Sequence, residues 1–335
     1  MNGHSRREFV VSTTKALAGA GLAVPPLRFR RAASTGLVYH PIYLEHRLPD
    51  RRGQPHPESP TRLTRILESL RAGGLIDDLV AIEPAPTASG PIAAHHDAEH
   101  VQAIRAIDVT GRVAERAVAG AIAAVDAVAE GQVRNAFCAI RPPGHHANNQ
   151  GAEEGFCFYS NAAIAARYAQ AKHGFERILV IDWDYHHGNG TQNAFYDDPS
   201  VLFFSTHDWQ AYPGTGDPAL RGEGEGSGLN INVHLECGSR DQSILRAWDS
   251  RFLPAVAKFR PEFVVISAGF DSRKDDTLGC FELSDDAFRR MTRTVIDIAN
   301  DTADGRIVSL LEGGYNLDGL ARAATAHVET LLDAG

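Results

Sequence analysis

Nowhere in its 335 residues does this chain hold an apolar run near the roughly 18 residues that a membrane-spanning helix needs. An integral membrane helix is therefore not expected. C-x-x-C pairs are also missing: the four cysteines, Cys138, Cys157, Cys237 and Cys280, are widely spaced, which excludes a zinc ribbon. Cys138 and Cys157 sit in apolar surroundings and are expected as buried thiols, and no disulfide is expected although the even count permits one. There is no internal repeat and no linker. What remains is an ordinary globular composition, 43% hydrophobic and 22% charged, long enough to bury a large core in a single α/β domain.

Acid is scarce in the first 34 residues. Six basic residues, Arg6, Arg7, Lys15, Arg28, Arg30 and Arg31, stand there against Glu8 alone, a net of +5. The paired arginines, then Phe9 and a weakly apolar run over residues 12–24, predict a twin-arginine export signal and a periplasmic or exported protein. A basic tail on a cytoplasmic protein is the alternative. The chain's net −9 less this +5 leaves −14 on the remainder, which would repel nucleic acid and favour cationic substrates.

Downstream, apolar runs alternate with helical patterns. Residues 59–74 read as a helix with Ser59 as N-cap, Pro60 at its first position and Leu63, Ile66, Leu67 and Leu70 on one face. Further helices are expected over 114–130, 161–172, 242–259, 285–300 and 317–332. Strands are expected over 36–40, 136–140, 178–182, 201–205, 229–235, 263–268 and 307–311. Runs such as ILVI, FVVIS and IVSLL are apolar at consecutive positions, so both faces of those strands must be covered. The alternation predicts an α/β fold on a mostly parallel sheet, with helices on both faces.

Ligands of such sheets bind beyond the carboxyl ends of the strands, where four of these runs stop at unusual polar groups. Asp182, Asp184 and His186 follow the run 178–181 at alternate positions, which project to one side of an extended chain. The run 136–140 leads to His145 and His146, 263–268 to Asp271, and 307–311 to Tyr315. Asp184, His186 and Asp271 offer two carboxylates and one imidazole, an open ligand set of the kind a catalytic metal requires. Zinc suits it best, with ferrous iron the alternative. His145 and His146 follow a Pro-Pro-Gly turn and are poor packing residues, because each buried ring nitrogen needs a partner. They read as proton handlers oriented by Asp182 and Asn189. Gly313 and Gly314 let the backbone turn so that Tyr315 can donate to a developing oxyanion.

RPPGHHA (141–147), GFCFYSN (155–161), IDWDYHHGNGTQ (181–192), SAGFD (267–271), LGCF (278–281) and EGGYN (312–316) resemble the zinc-dependent histone deacetylase and acetylpolyamine amidohydrolase family. Tyr39 to Pro41 and HPESPTRL (56–63) extend the resemblance, which runs in order from about residue 37 to the C-terminus. Asn189 makes it closer to the class II branch. The resemblance implies a three-layer α/β/α arginase/deacetylase fold in one catalytic domain, residues 35–335, that hydrolyses N-acetyl amides. It implies zinc on Asp184, His186 and Asp271, with His146 as general base and then acid. His145, oriented by Asp182, would give electrostatic help, and Tyr315 would polarise the acyl carbonyl. Gly155 and Phe156, with the loop at Tyr212 and Pro213, would line an acyl-lysine tunnel, and Asp97 would sit at its rim. A structural potassium ion is implied near Asp182, Asp184, His186 and Ser205.

Leu278 occupies the position where polyamine-selective members of the family carry an acid, so acetylated lysine or a similar primary acylamide is the expected substrate. Acetylpolyamines are the second choice, favoured by the acidic body. A two-metal ureohydrolase fits the tandem histidines and Tyr315 poorly, and a non-catalytic acylamine-binding protein would have no use for them.

Overall fold

The computed structural model describes residues 34–50 and 53–334, so the expected export signal lies outside the described residues save for Ser34. Strands β1 (Thr35–Val38), β2 (Leu79–Ile82), β3 (Asn135–Cys138), β4 (Ile178–Asp182), β5 (Val201–His207), β6 (Asn230–His234), β7 (Phe263–Ala268) and β8 (Ile307–Leu311) form one sheet. Their order is β2-β1-β3-β8-β7-β4-β5-β6, and every pairing is parallel. The central strands β3, β8, β7 and β4 are buried at every position, as consecutive apolar residues require when both faces are covered. The edge strands β2 and β6 are only partly buried.

The helices are α1 (Thr61–Ala72), α2 (Ser89–His95), α3 (Ala98–Arg105), α4 (Asp108–Ala129), α5 (Asn161–His173), α6 (Asn189–Ala194), α7 (Asp241–Ala247), α8 (Leu253–Phe259), α9 (Asp285–Thr302) and α10 (Leu317–Leu332). Helix α4 packs on α5, while α1, α10 and α9 pack on one another in turn, giving the two layers that a doubly buried sheet demands. Among the described residues no helix is long and apolar enough to cross a membrane.

Several expectations change. Helix α1 begins at Thr61 with Pro60 at its cap and no side-chain cap bond; the carbonyl of Ser59, not its hydroxyl, accepts from the Arg62 N–H at 3.1 Å. The helix expected over 242–259 is α7 and α8 joined by a π-helical stretch, Trp248–Phe252. Pro254 explains the break, since it has no N–H for the carbonyl four residues back and its ring crowds that group. The expectation of no disulfide is overturned: Cys237 and Cys280 are bridged, with Cα atoms 5.2 Å apart. Backbone bonds from Gly238 N–H to the Cys280 carbonyl and from Glu282 N–H to the Ser239 carbonyl, both 2.8 Å, align the two loops that carry them. Cys138 and Cys157 are buried free thiols, as expected.

Because β3, β8, β7 and β4 are consecutive neighbours running the same way, the four polar strand ends lie side by side.

Candidate active site

At the end of β4, Asp182 is still in the strand, and the chain then turns through Asp184 and His186. The His186 Nδ1 lies 3.1 Å from Asp184 Oδ1 and 3.0 Å from Asp271 Oδ2, so the three expected ligands meet. One donor atom from each falls within 4.8 Å of the others. The remaining carboxylate oxygens are held by backbone: Asp184 Oδ2 accepts from Gly313 N–H at 2.8 Å, and Asp271 Oδ1 accepts from Tyr185 N–H at 2.8 Å. Gly313 is needed for this approach, since a Cβ there would stand 2.2 Å from Asp271 Oδ2 and 2.6 Å from Asp184 Oδ2.

Burial opposes charge on His186, yet its bonds to Asp184 and Asp271 raise it to about 10. Burial, with the charge of Asp184, pushes Asp271 up to about 7 even though His186 pulls the other way. Asp184 by contrast is held well below the carboxylate range, burial notwithstanding, by His145 and His186. One oxygen of each acid converges with an imidazole nitrogen. That donor set fits a divalent cation with open positions.

The tandem histidines are set in opposite states. His145 Nδ1 lies 3.0 Å from Asp182 Oδ2; burial works against its charge, but Asp184 and Asp182 outweigh it and hold the imidazolium well above its usual range. His146 is held well below that range by burial and by the neighbouring His145 and His186. Its Nδ1 lies 2.8 Å from Asn189 Oδ1, an acceptor, so the proton sits on Nδ1 and Nε2 keeps a free lone pair.

Tyr315 is buried, and burial together with the charge of Asp271 holds its phenol protonated well above the ordinary range. His146, His186, Tyr315, Gly155, Phe156, Tyr212 and Leu278 line one cavity of about 510 Å³. Phe156 takes a left-handed backbone, φ 71°, with its N–H on Glu153 Oε1 at 2.7 Å, and its ring meets Tyr315 edge-on at 5.9 Å. Gly155, at φ 54°, leaves no room for a side chain: a Cβ would stand 2.4 Å from His146 Cδ2.

Asp97 was expected at the rim and Pro213 in the lining loop, and neither is a wall residue. Asp97 is exposed at the start of α3, its N–H on Asn149 Oδ1 at 3.1 Å, and is not on the cavity wall. Pro213 follows a cis peptide beside Tyr212 and also lies off the wall, where Ala211 and Tyr212 stand instead.

A match to the histone deacetylase domain covers residues 56–331. The chain belongs to the histone deacetylase domain family. It is 37% identical over 302 residues to a probable deacetylase of Archaeoglobus fulgidus, covering 85% of this chain and 82% of that one. Histone deacetylase 15 of Arabidopsis thaliana is 37% identical over 90% of this chain and 57% of its own length. The polyamine deacetylase HDAC10 of Homo sapiens is 35% identical over 89% of this chain and 48% of its own length. The chain thus spans most of the archaeal relative and about half of each of these eukaryotic ones. The crystal structure of the HDA15 HD domain superposes with a TM-score of 0.85 at 34% identity, covering 90% of both chains. The architecture is therefore the arginase/deacetylase-like α/β fold.

Sequence reasoning gave no role to the buried charges behind this deacetylase-family site. Glu58 takes Arg141 Nε and Nη2 on its two oxygens, with Arg62 Nη1 at 3.1 Å and His46 Nε2 at 3.3 Å, all fully buried. Arg62 continues to the carbonyls of Glu312 and Gly314, and its guanidinium lies 5.1 Å from the Tyr315 ring centroid. Glu312 Oε2 accepts from Gly144 and His145 N–H at 2.6 and 3.2 Å, tying the tandem histidines to the end of β8. A charged residue inside an otherwise apolar or Pro-rich stretch, as in RPPGHHA and IVSLLEGG, was the available signal.

Proposed function

We propose that the protein is a zinc-dependent deacetylase that removes acetyl or related acyl groups from acyl-lysine and similar primary acylamides. The observation that carries this reading is the single cavity on which a neutral, correctly protonated His146, the Tyr315 phenol and His186 of the ligand set all open. Asp184, His186 and Asp271 would hold the metal, which when bound would polarise the acyl carbonyl and acidify water. Ferrous iron suits the same ligands. A potassium ion bound by backbone carbonyls near Asp182, Asp184, His186 and Ser205 belongs to the same proposal; β4–β5 pairing, which sets Asp182 opposite Ser205, supports it.

The acyl arm enters between Phe156 and Tyr212, which exclude water from it. The Tyr315 O–H donates to the carbonyl oxygen and strengthens that bond as negative charge develops. His146 Nε2 takes a proton from the attacking water while Asn189 holds its Nδ1–H, and the same nitrogen then delivers the proton to the leaving amine. His145, kept cationic by Asp184 and Asp182, stabilises the developing charge nearby.

Acetylpolyamines form the second reading. Leu278 on the wall argues for acyl-lysine, but the exposed acid Glu153 also lines the cavity and would attract a second ammonium. Comparing acetyl-lysine peptides with acetylputrescine and acetylspermidine decides between them. Export through a twin-arginine signal is part of the proposal, and cell fractionation tests it. For the reaction itself, Tyr315→Phe should keep zinc content and thermal midpoint while lowering kcat on an acetyl-lysine reporter by about 100- to 1,000-fold. Unchanged turnover would remove the phenol from the mechanism, and a wild-type zinc-loaded protein inert on every acylamide would remove the deacetylase reading.

A further inference from the structure

The loop between β7 and α9 carries Leu278, one wall of the cavity, and folds against the turn that presents Tyr315. One half-buried carboxylate joins the two. Asp276 Oδ1 accepts from the N–H groups of Leu278 and Gly279 at 2.9 and 3.2 Å, and its Oδ2 accepts from those of Tyr315 and Asn316 at 2.7 and 3.0 Å. The Asn316 amide returns a bond to the Asp275 carbonyl at 2.7 Å, while its oxygen accepts from Gly319 N–H at the start of α10. Glycines at 313 and 314 give the turn no side chains of its own, so backbone bonds hold it: Asp184 takes the Gly313 N–H and Arg62 the Gly314 carbonyl, while Asp276 alone takes the N–H of Tyr315 itself.

The same loop is anchored at its far end. Cys280 is bridged to Cys237, and the Tyr185 hydroxyl lies 3.1 Å from Cys280 Sγ; Tyr185 sits between the ligands Asp184 and His186. A carboxylate that accepts four backbone N–H groups keeps charge-assisted bonds to all of them, which a neutral side chain of the same shape cannot reproduce.

We propose that Asp276 is a positioning residue of the reaction: its carboxylate fixes the Tyr315 backbone, and through it the phenol, against the cavity wall that Leu278 forms. It touches no reacting atom and acts through Tyr315. The proposal rests on the deacetylase reading for its kinetic consequence but not for its structural one.

Asp276→Asn keeps the size of the side chain and turns one acceptor into a donor facing N–H groups. On an acetyl-lysine reporter kcat should fall about 10- to 100-fold, the scale on which small misplacements at a reacting centre act, with the loss in kcat rather than KM. In a Tyr315→Phe background the same substitution should cost nothing more, because the group it positions is gone. An equal loss in both backgrounds overturns the proposal. Amide hydrogen exchange, read without any turnover, should quicken at residues 278, 279, 315 and 316 and stay unchanged in β5. Unchanged protection at Tyr315 overturns the proposal, as does protection lost equally in β5, which would make Asp276 a residue of the fold alone. Asp276→Ala removes both acceptors without presenting an N–H and should repeat the pattern if the first variant folds poorly. Should wild-type protein cleave no acylamide, the deacetylase reading fails while the exchange measurement still decides this one.

Discussion

Two adjacent histidines, His145 and His146, stand with ring centroids 4.0 Å apart, yet are shifted in opposite directions from the ordinary imidazole range. Asp184 and Asp182 outweigh burial at His145, whereas burial with the neighbouring His145 and His186 holds His146 down, and Asn189 offers it an amide rather than a charge. This makes Asn189→Asp informative. A carboxylate at that place would favour the imidazolium of His146, raising its pKa; since the base must be neutral to accept a proton, the acid limb of the kcat/KM profile should move to higher pH. A limb that stays in place or moves down would show that His146 is not the titrating base. Residues of this kind were legible in the sequence because a polar group directly after a consecutively apolar run has no packing reason to be there. Glu58, Arg141 and Glu312 carried a weaker signal, a charge set in a Pro-rich or apolar stretch, and only their enclosure in three dimensions shows that they pair with one another and with the backbone behind the site.

Among the elements, the long strands and helices follow from periodicity, and their ends fall within a few residues of the expected places. Helix α4 starts at Asp108, ahead of the expected 114. The strand β2 and the short helices α2, α3 and α6 were missed, since LVAI and helices of six to eight residues are too short for either period to register. What holds the connecting segments in place is ionic. Burial works against charge on Glu58, but Arg141, His46 and Arg62 outweigh it and keep the carboxyl well below its usual range. A folded-state pKa depressed in this way contributes stability above the unfolded value of about 4.3, and that contribution is lost as pH falls further, through the folded value. Glu58→Gln leaves two buried guanidiniums short of an anion and should cost about 3–5 kcal/mol at neutral pH. Denaturant titrations of both proteins at pH 7 and pH 4 check this: the gap should narrow at the lower pH, and a gap below 1 kcal/mol at pH 7 would mean that the network contributes little.

For the molecule as a whole, the bridge Cys237–Cys280 closes a long loop, 43 residues apart in sequence, and so limits the unfolded chain more than the folded one. Reduction, or the pair Cys237→Ser with Cys280→Ser, should lower stability by about 2–4 kcal/mol. Thermal scans with and without reductant measure it; identical midpoints would show that the cross-link is dispensable. Sheet order has a further consequence. Strand β8, the last of the eight in sequence, is inserted between β3 and β7 and alone joins the half β2-β1-β3 to the half β7-β4-β5-β6. It is a keystone laid last. A nascent chain halted near residue 300 would hold two open half-sheets, each with an unpaired apolar edge, and should be cut readily by protease until β8 emerges. Tyr315 follows β8 within a few residues, so the protein acquires its central hydrogen-bond ladder and the last of its proposed catalytic side chains together.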